Sequence, residues 1–202
     1  MKKLGILLSG RGSNFRAIFD AIQSGFIKNA KIEVVISNKA DAQGLKFAKD
    51  NKLNAIFLNP KDFFSRSEYD RKLVEILKNY SVDLVCLAGF MRIVGEEVVN
   101  AFENKILNIH PSLLPSFPGL NAQRQALEYG VKITGCTVHF VDTKVDHGPI
   151  VLQAAVEVKE DDTVETLSNR ILTYEHKIYP YAVKLFVEGK LRVLGRKVQI
   201  LQ

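Results

Sequence analysis

The chain opens with a short apolar run, followed by a glycine-rich turn and a helical pattern. This succession constrains the fold most strongly. Residues 4–8 are almost all apolar, residues 9–14 form the turn, and residues 15–22 carry apolar side chains at helical spacing. The run is far below the roughly 18 to 20 apolar residues that cross a membrane. It therefore indicates a buried first strand rather than a signal peptide.

Strand and helix patterns keep alternating through the first half of the chain. Further strands are predicted at 31–37, 55–58, 83–88 and 105–109, and helices at 44–51, 69–80 and 96–102. This alternation predicts a Rossmann-like α/β fold, with a mostly parallel, twisted sheet and helices on both faces. We expect the turns at 9–14, 89–94 and 108–110 to meet at one crevice, because parallel strands end at the same edge of a sheet.

The second half of the chain shows a different order of elements. The patterns predict a helix at 122–129, strands at 133–141 and 150–158, and a helix at 163–188 that is interrupted near Pro180. A hairpin is possible at 191–201. Neither a repeat nor a linker divides the sequence, so we predict a single domain over residues 1–202.

Composition narrows the classes of function. Hydrophobic residues make up 47% and charged residues 25% of 202 residues, as in a globular protein. The net charge of +6 favours anionic ligands, whereas the scattered basic residues do not indicate nucleic-acid binding, and no stretch predicts a membrane span. Cys86 and Cys136 lie in apolar runs without a CxxC pair, which indicates free thiols and a cytoplasmic location.

Gly10, Gly12, Ser13 and Asn14 follow a strand and open a helix, as in loops that bind phosphate. Glycines let the backbone approach an anion, and the helix start offers free N–H groups. A capped tight turn is the alternative. A dinucleotide fits poorly because Phe15 occupies the place of a third glycine, so a single phosphate suits the loop better.

Asn108 and His110 stand two residues apart on a predicted strand and therefore point the same way. The proline-rich segment 111–118 stiffens the chain that follows. Asp146 could be an ordinary turn residue or the charge partner of His110, and His110 could itself be a buried structural histidine. The four histidines have no metal-ligand spacing, and no G-x-S-x-G elbow predicts a hydrolase.

Six segments together resemble the folate-dependent formyltransferases over nearly the whole chain. They are residues 9–14, 87–93 (LAGFMRI), 108–119 (NIHPSLLPSFPG), 137–141 (TVHFV), 146–149 (DHGP) and 175–180 (EHKIYP). The resemblance implies the formyltransferase fold. It also implies that the N-terminal part holds a phosphoribosyl substrate and the C-terminal part holds folate.

The resemblance also implies roles for individual residues. The catalytic set falls on Asn108, His110 and Asp146. The phosphoribosyl substrate site falls on Gly12, Ser13, Asn14 and Glu175. The folate site falls on Arg66, Met91, Arg92, Ile93, Val94, Asn108, Asp142, Thr143, Lys144, Val145 and Asp146. The alternative for Arg66 is that it is merely a solvated residue before a helix capped by Ser65 and Glu68.

The activity implied by the resemblance is transfer of the formyl group of 10-formyltetrahydrofolate to the amine of glycinamide ribonucleotide, in de novo purine biosynthesis. Formylglycinamide ribonucleotide and tetrahydrofolate are the products, and no metal is required. Asn108 and a His110 held protonated by Asp146 would stabilise the developing oxyanion. The expected partners are these small molecules, with neither nucleic acid nor membrane, and the expected state is a monomer or homodimer.

Three alternatives remain at this point. A methionyl-tRNA formyltransferase would carry an additional C-terminal domain, for which a chain ending at Gln202 leaves no room. A formyltetrahydrofolate hydrolase would carry an N-terminal regulatory domain ahead of the first strand. A phosphate-binding module would use only the glycine loop and leave Asn108, His110 and Asp146 idle.

Overall fold

Strand β1 (Lys2–Leu8) is buried between two parallel neighbours. On one side it pairs with β2 (Ala30–Ser37), which in turn pairs with β3 (Ala55–Phe57), and on the other side it pairs with β4 (Leu84–Leu87). Branched aliphatic residues and leucine dominate β1, β2 and β4, as is typical of parallel strands covered on both faces, whereas the short β3 is only partly buried.

The computed structural model describes residues 1–202 and forms two compact units, Met1–Leu107 and Asn108–Gln202. In the first unit, helices connect the parallel strands, as crossover geometry requires. They are α1 (Ser13–Gln23), α2 (Gln43–Asp50), α3 (Arg66–Asn79) and α4 (Glu96–Ala101), with a 3₁₀ turn at Pro60–Asp62.

In the second unit, a long antiparallel pair lies beneath a long helix. Strand β5 (Ile106–His110) enters this unit with its last three residues, and β6 (Ile133–Phe140) pairs with β7 (Ile150–Glu157). Helix α5 (Ala122–Tyr129) and helix α6 (Val164–Val187) complete the helices, and α6 packs against both β6 and β7. The chain ends in an antiparallel hairpin of β8 (Leu191–Leu194) and β9 (Lys197–Ile200).

These observations confirm the predicted α/β class, with a mostly parallel sheet and helices on both faces. The C-terminal hairpin is also as predicted, whereas the interruption near Pro180 is wrong, because α6 runs through that residue. Pro180 and its neighbour Tyr179 are buried, and this packing offsets the hydrogen bond that proline cannot donate. The single-domain assignment stays a prediction. None of the helices is both long and apolar enough to span a membrane.

Candidate active site

Strand β5 brings the two polar residues predicted to be catalytic onto one side of the second unit. Asn108 is half-buried and His110 is buried at the end of the strand. The Nδ1 atom of His110 lies 3.3 Å from Oδ2 of Asp146. The structure therefore brings the predicted set of three residues together, although Asp146 lies 36 positions after His110 in the chain.

Asp146 is held in an unusual backbone conformation, with a φ of 49°. Its Oδ2 atom accepts a hydrogen bond of 2.8 Å from the amide of Gly119. Burial raises the pKa of Asp146, but the nearby imidazoles of His139 and His110 and the hydrogen bond from the Gly119 amide outweigh burial and lower the pKa below its ordinary value. The carboxylate is thus ionised near neutral pH and available to stabilise a positive charge.

Both ring nitrogens of His110 face acceptors. Nε2 lies 2.8 Å from the carbonyl oxygen of Phe117, and Nδ1 faces the Asp146 carboxylate. The imidazolium form would satisfy both contacts. Burial nevertheless lowers the pKa of His110, and the Phe117 bond and the Asp146 charge offset this effect only in part. The expectation that Asp146 holds His110 protonated is therefore not met, because the net direction is towards a neutral ring.

His139 is a further site residue that sequence reasoning did not assign. Its Nδ1 atom lies 2.8 Å from the carbonyl oxygen of Phe140, which places the proton of a neutral ring on Nδ1. Nε2 is then the acceptor for the Asn108 amide, 3.2 Å away. This bond fixes the orientation of the amide and leaves its second N–H free for a ligand.

A buried hydroxyl braces the segment that follows His110. Thr137 donates to the carbonyl oxygen of Ser112 at 2.7 Å and accepts from the amide of Leu114 at 3.0 Å. Gln153 donates to Thr137 and to the carbonyl oxygen of Leu114. These bonds explain how a loop can hold His110 in one position. Thr137 and His139 alternate on β6 and so face the same side, a pattern that could have marked them as polar residues of one face but was not used to assign them.

In the first unit, the ends of three strands converge on Ser9. Its hydroxyl donates to Oδ1 of Asn38 at 2.5 Å and accepts from the amide of Met91 at 2.7 Å. The amide of Ser9 also donates to the carbonyl oxygen of Gly89 at 3.0 Å. The predicted phosphate turn and the predicted folate segment therefore lie side by side, as parallel neighbours β1 and β4 require.

The turn after Ser9 has the geometry of an anion-binding loop. Gly12 caps α1 with a φ of 72° and no side-chain hydrogen bond, and Ser13 and Asn14 form the first turn of the helix. A Cβ atom on Gly12 would lie 2.8 Å from the Cα of Gly44, so no larger residue fits. The first turn contains no acidic residue, which leaves the partial positive charge of the helix start unneutralised.

The predicted folate residues of the first unit are linked by a buried acid, Asp70. Its Oδ2 atom accepts from the amide of Gly95 at 3.0 Å and lies 3.6 Å from Nε of Arg66. Arg92 stacks over the ring of Tyr69, 4.5 Å from its centroid. Burial raises the pKa of Asp70, although Arg66 and the Gly95 amide partly offset that shift. Sequence reasoning missed Asp70 because one acid on a helix carries no signal of its own.

The other predicted residues differ in exposure. Met91 and Ile93 are exposed and Val94 is buried in the first unit. In the second unit, Thr143, Lys144 and Val145 are exposed and Asp142 is half-buried, whereas Glu175 is buried on α6. The exposed apolar side chains of Met91 and Ile93 flank Arg92 in the chain, and their role in binding a ligand stays a prediction. No group of three or more His, Cys, Asp or Glu residues could hold a metal ion.

The α/β fold and the set of Asn108, His110 and Asp146 together define a class of protein. Comparison with known proteins identifies that class. The family model described as "Formyl transferase" matches residues 2–183. The chain belongs to the formyl transferase family.

Individual relatives are similar over almost the whole chain. Phosphoribosylglycinamide formyltransferase of Haemophilus influenzae is 47% identical over 96% of this chain and 91% of its own length. The crystal structure of glycinamide ribonucleotide transformylase 1 from Symbiobacterium toebii superposes with a TM-score of 0.98 and 55% identity, over 100% of this chain and 95% of that one.

The human trifunctional purine biosynthetic protein adenosine-3 is 48% identical over 95% of this chain. The match covers only 19% of that protein, so the chain spans about a fifth of its length.

Proposed function

We propose that this chain transfers the formyl group of 10-formyltetrahydrofolate to the amine of glycinamide ribonucleotide, as an enzyme of de novo purine biosynthesis. The observation that carries the proposal is the contact of His110 with Asp146, with Asn108 two residues away on the same strand. Relatives named for this reaction, similar over almost the whole chain, support it.

Asn108 acts on the oxygen of the formyl group. One N–H of its amide is held by His139, so the second is fixed in direction before substrate arrives. A preorganised donor stabilises negative charge as it develops on that oxygen, typically by about 2.7–4 kcal/mol. The donated formyl group supplies the electrophile, and the attacking amine belongs to the acceptor, so no nucleophile of the chain is needed.

His110 moves protons. Its lowered pKa makes the neutral ring the resting form, which can accept a proton from the attacking amine. The imidazolium that results is stabilised by the ionised Asp146 and can return the proton to the departing nitrogen. Nε2 must exchange the Phe117 carbonyl for the substrate, since both ring nitrogens are engaged in the free protein.

The remaining predicted residues bind the two ligands in this proposal. Gly12, Ser13 and Asn14 hold the phosphate of the ribonucleotide, and Glu175 its amine end. The exposed Met91 and Ile93 contact the folate ring, while Arg66 faces its carboxylate tail. Asp142, Thr143, Lys144 and Val145 complete the folate site in the second unit, next to Asp146.

We further propose that the protein works in the cytoplasm as a monomer or homodimer with small molecules as its only partners. The two buried cysteines, Cys86 and Cys136, are thiols that are not joined in a disulfide, which supports a reducing compartment. Burial raises the pKa of Cys136 to about 12, which keeps its thiol protonated and unreactive.

The test is a formyl-transfer assay with both substrates and without metal, followed by tetrahydrofolate release. Asn108→Ala and Asp146→Asn should each lower kcat by about 10²–10³, the usual effect of removing one preorganised group. His110→Ala should lower kcat at least as much, because it removes the proton carrier. Unchanged melting temperatures would show that the variants remain folded.

Omission of the acceptor is the matched control. Tetrahydrofolate release that needs no ribonucleotide would show a hydrolase and overturn the acceptor assignment. Phosphate binding without formyl transfer by the wild type would return the protein to the class of binding modules.

A further inference from the structure

Asp146 lies in a surface loop that is closed at its base. The amide of Phe140 donates to the carbonyl oxygen of Pro149 at 2.9 Å, so residues 141–148 leave the β6–β7 pair and return to it. The carboxylate of Asp146 is anchored at Gly119 and aimed at His110. The position of this loop therefore sets the position of the carboxylate.

The backbone of Asp146 requires support from outside the residue. A φ of 49° is uncommon for a residue with a side chain and persists where the surrounding contacts hold it. Gly119 holds the side chain, but its bond does not fix the peptide that follows Asp146. That peptide joins Asp146 to His147, and both the carbonyl and the ring of His147 have partners that hold this residue in place.

The partner of the His147 carbonyl is Arg196, in the turn of the C-terminal hairpin. β9 meets β7 in parallel at Ile150 and Lys197, which places the preceding residue, Arg196, beside the loop. Its NH1 group donates to the carbonyl oxygen of His147 and lies 3.2 Å from the Nδ1 atom. This hydrogen bond and the β7–β9 pairing together connect the turn of the hairpin to the loop 141–148.

The ring of His147 lies between Arg196 and Asp142, which is at the start of the loop 141–148. Nδ1 lies 2.7 Å from Oδ2 of Asp142, a distance at which the nitrogen donates to the carboxylate. The other oxygen of Asp142 accepts from the amide of Lys144 at 2.9 Å. Burial raises the pKa of Asp142, but the His147 bond, the Lys144 amide and the Arg196 charge lower it below its ordinary value.

We propose that Arg196 is a positioning residue for Asp146, acting through His147 and Asp142 on the loop 141–148. The inference rests on the proposed function only in so far as that function uses Asp146. The guanidinium suits this role because one planar group can bond the carbonyl of His147 and attract the carboxylate of Asp142. The C-terminal hairpin then serves catalysis without touching a substrate.

The experiment compares Arg196→Ala, Arg196→Lys and Arg192→Ala in the full chain. Arg192 is the matched control, an exposed arginine on β8 of the same hairpin, which lies opposite Gln199 rather than in the turn. Arg196→Ala should lower kcat between about fivefold and a hundredfold, the range for a displaced catalytic group, with little change in the KM for the ribonucleotide. Arg196→Lys should recover part of kcat, and Arg192→Ala should behave as wild type.

Amide hydrogen exchange provides a readout independent of activity. Arg196→Ala should speed exchange at residues 143–148 and leave β6 and α6 unchanged. Wild-type kcat in Arg196→Ala, or an equal loss in Arg192→Ala, would overturn the proposal. An inactive wild type would refute the proposed function, and the exchange data would still decide whether Arg196 holds the loop.

Discussion

Burial and the charge of Asp146 act on the pKa of His110 in opposite directions, and burial has the larger effect. The lowered pKa of His110 predicts how stability changes with pH. Above the ordinary histidine value of 6.5, the folded and unfolded chains both hold a neutral ring. Below 6.5 the unfolded chain takes up the proton first, so stability falls from there down to the lowered pKa of the folded protein.

We expect the free energy of unfolding to decrease between about pH 7.5 and about pH 5.5, and to decrease less in His110→Gln. Urea unfolding at both pH values measures the difference. His176→Gln is a useful parallel, because burial also lowers the pKa of His176. The lowered pKa of Asp146 acts only below its ordinary value of 3.8 and does not enter this range. An equal decrease in the free energy of unfolding in wild type and His110→Gln would contradict the expectation.

The sequence predicted site residues that share a local pattern. It missed site residues whose role depends on a partner far away in the chain. Asn108 and His110 stand out because they alternate on one strand. Ser9 bonds the amide of Met91, 82 positions away, and His139 bonds Asn108, 31 positions away. Nothing near Ser9 or His139 in the chain indicates which partner the fold will supply.

At the scale of elements, the N-terminus of α6 is defined by a capping box. The side chain of Thr163 accepts from the amide of Thr166 at 3.2 Å, and Thr166 accepts in return from the amide of Thr163 at 2.9 Å. Arg170 also forms two bonds to Asp162, just before the helix. This end of the helix is therefore fixed by local side chains.

Thr163→Ala should lower the free energy of unfolding by about 1 kcal/mol, the usual effect of losing an N-cap. Equilibrium urea unfolding measures the change. Thr173→Ala is the matched control, because Thr173 is an exposed threonine inside the same helix, and its effect should stay within about 0.5 kcal/mol. If both variants lose the same stability, the cap does not account for the effect.

In the C-terminal half of α6, at Pro180, the prediction of secondary structure from the sequence failed. A proline predicts a break because it lacks the N–H that the helix uses. Pro180 lies instead on a buried face with Tyr179, Ala182 and Val183, and packing of that face keeps the helix continuous. The prediction weighed only the local bond, whereas tertiary burial decided the outcome.

At the scale of the whole molecule, the excess of positive charge bears on ligand capture. The formal charge is +6, and the proposed substrates carry a phosphate and a carboxylate tail. Raising the salt concentration from about 20 mM to about 500 mM should lower kcat/KM several-fold for both substrates, because it screens this attraction. Steady-state kinetics at both concentrations measures the effect.

The value of kcat should change far less, since the buried His110 and the partly buried Asp146 are screened less by salt than exposed charges are. A fall in kcat as large as that in kcat/KM would point to a change in the catalytic set itself. A neutral osmolyte at matched osmolality controls for solvent effects other than screening.

The fold of the whole molecule was predictable because alternating short strands and helices admit few arrangements. The parallel pairing of the strands in the first unit follows from the helices that connect them, and the hairpin at residues 191–200 follows from weak alternation around Gly195. The division into two compact units left no mark in the sequence, because no linker separates Leu107 from Asn108.

The contact between Gly12 and Gly44 has a consequence for how this chain can vary. The Cα of Gly44 obstructs a side chain at Gly12, and the Cα of Gly12 lies 3.2 Å from where a side chain on Gly44 would begin. Every amino acid has a Cα atom, so a change at one position cannot be rescued by a change at the other. A library randomised at both positions and selected for formyl transfer should return glycine at Gly12, whose φ is 72° and whose Cβ the backbone of Gly44 would block, whereas a Cβ at Gly44 would first meet the movable side chain of Leu8, 2.6 Å away.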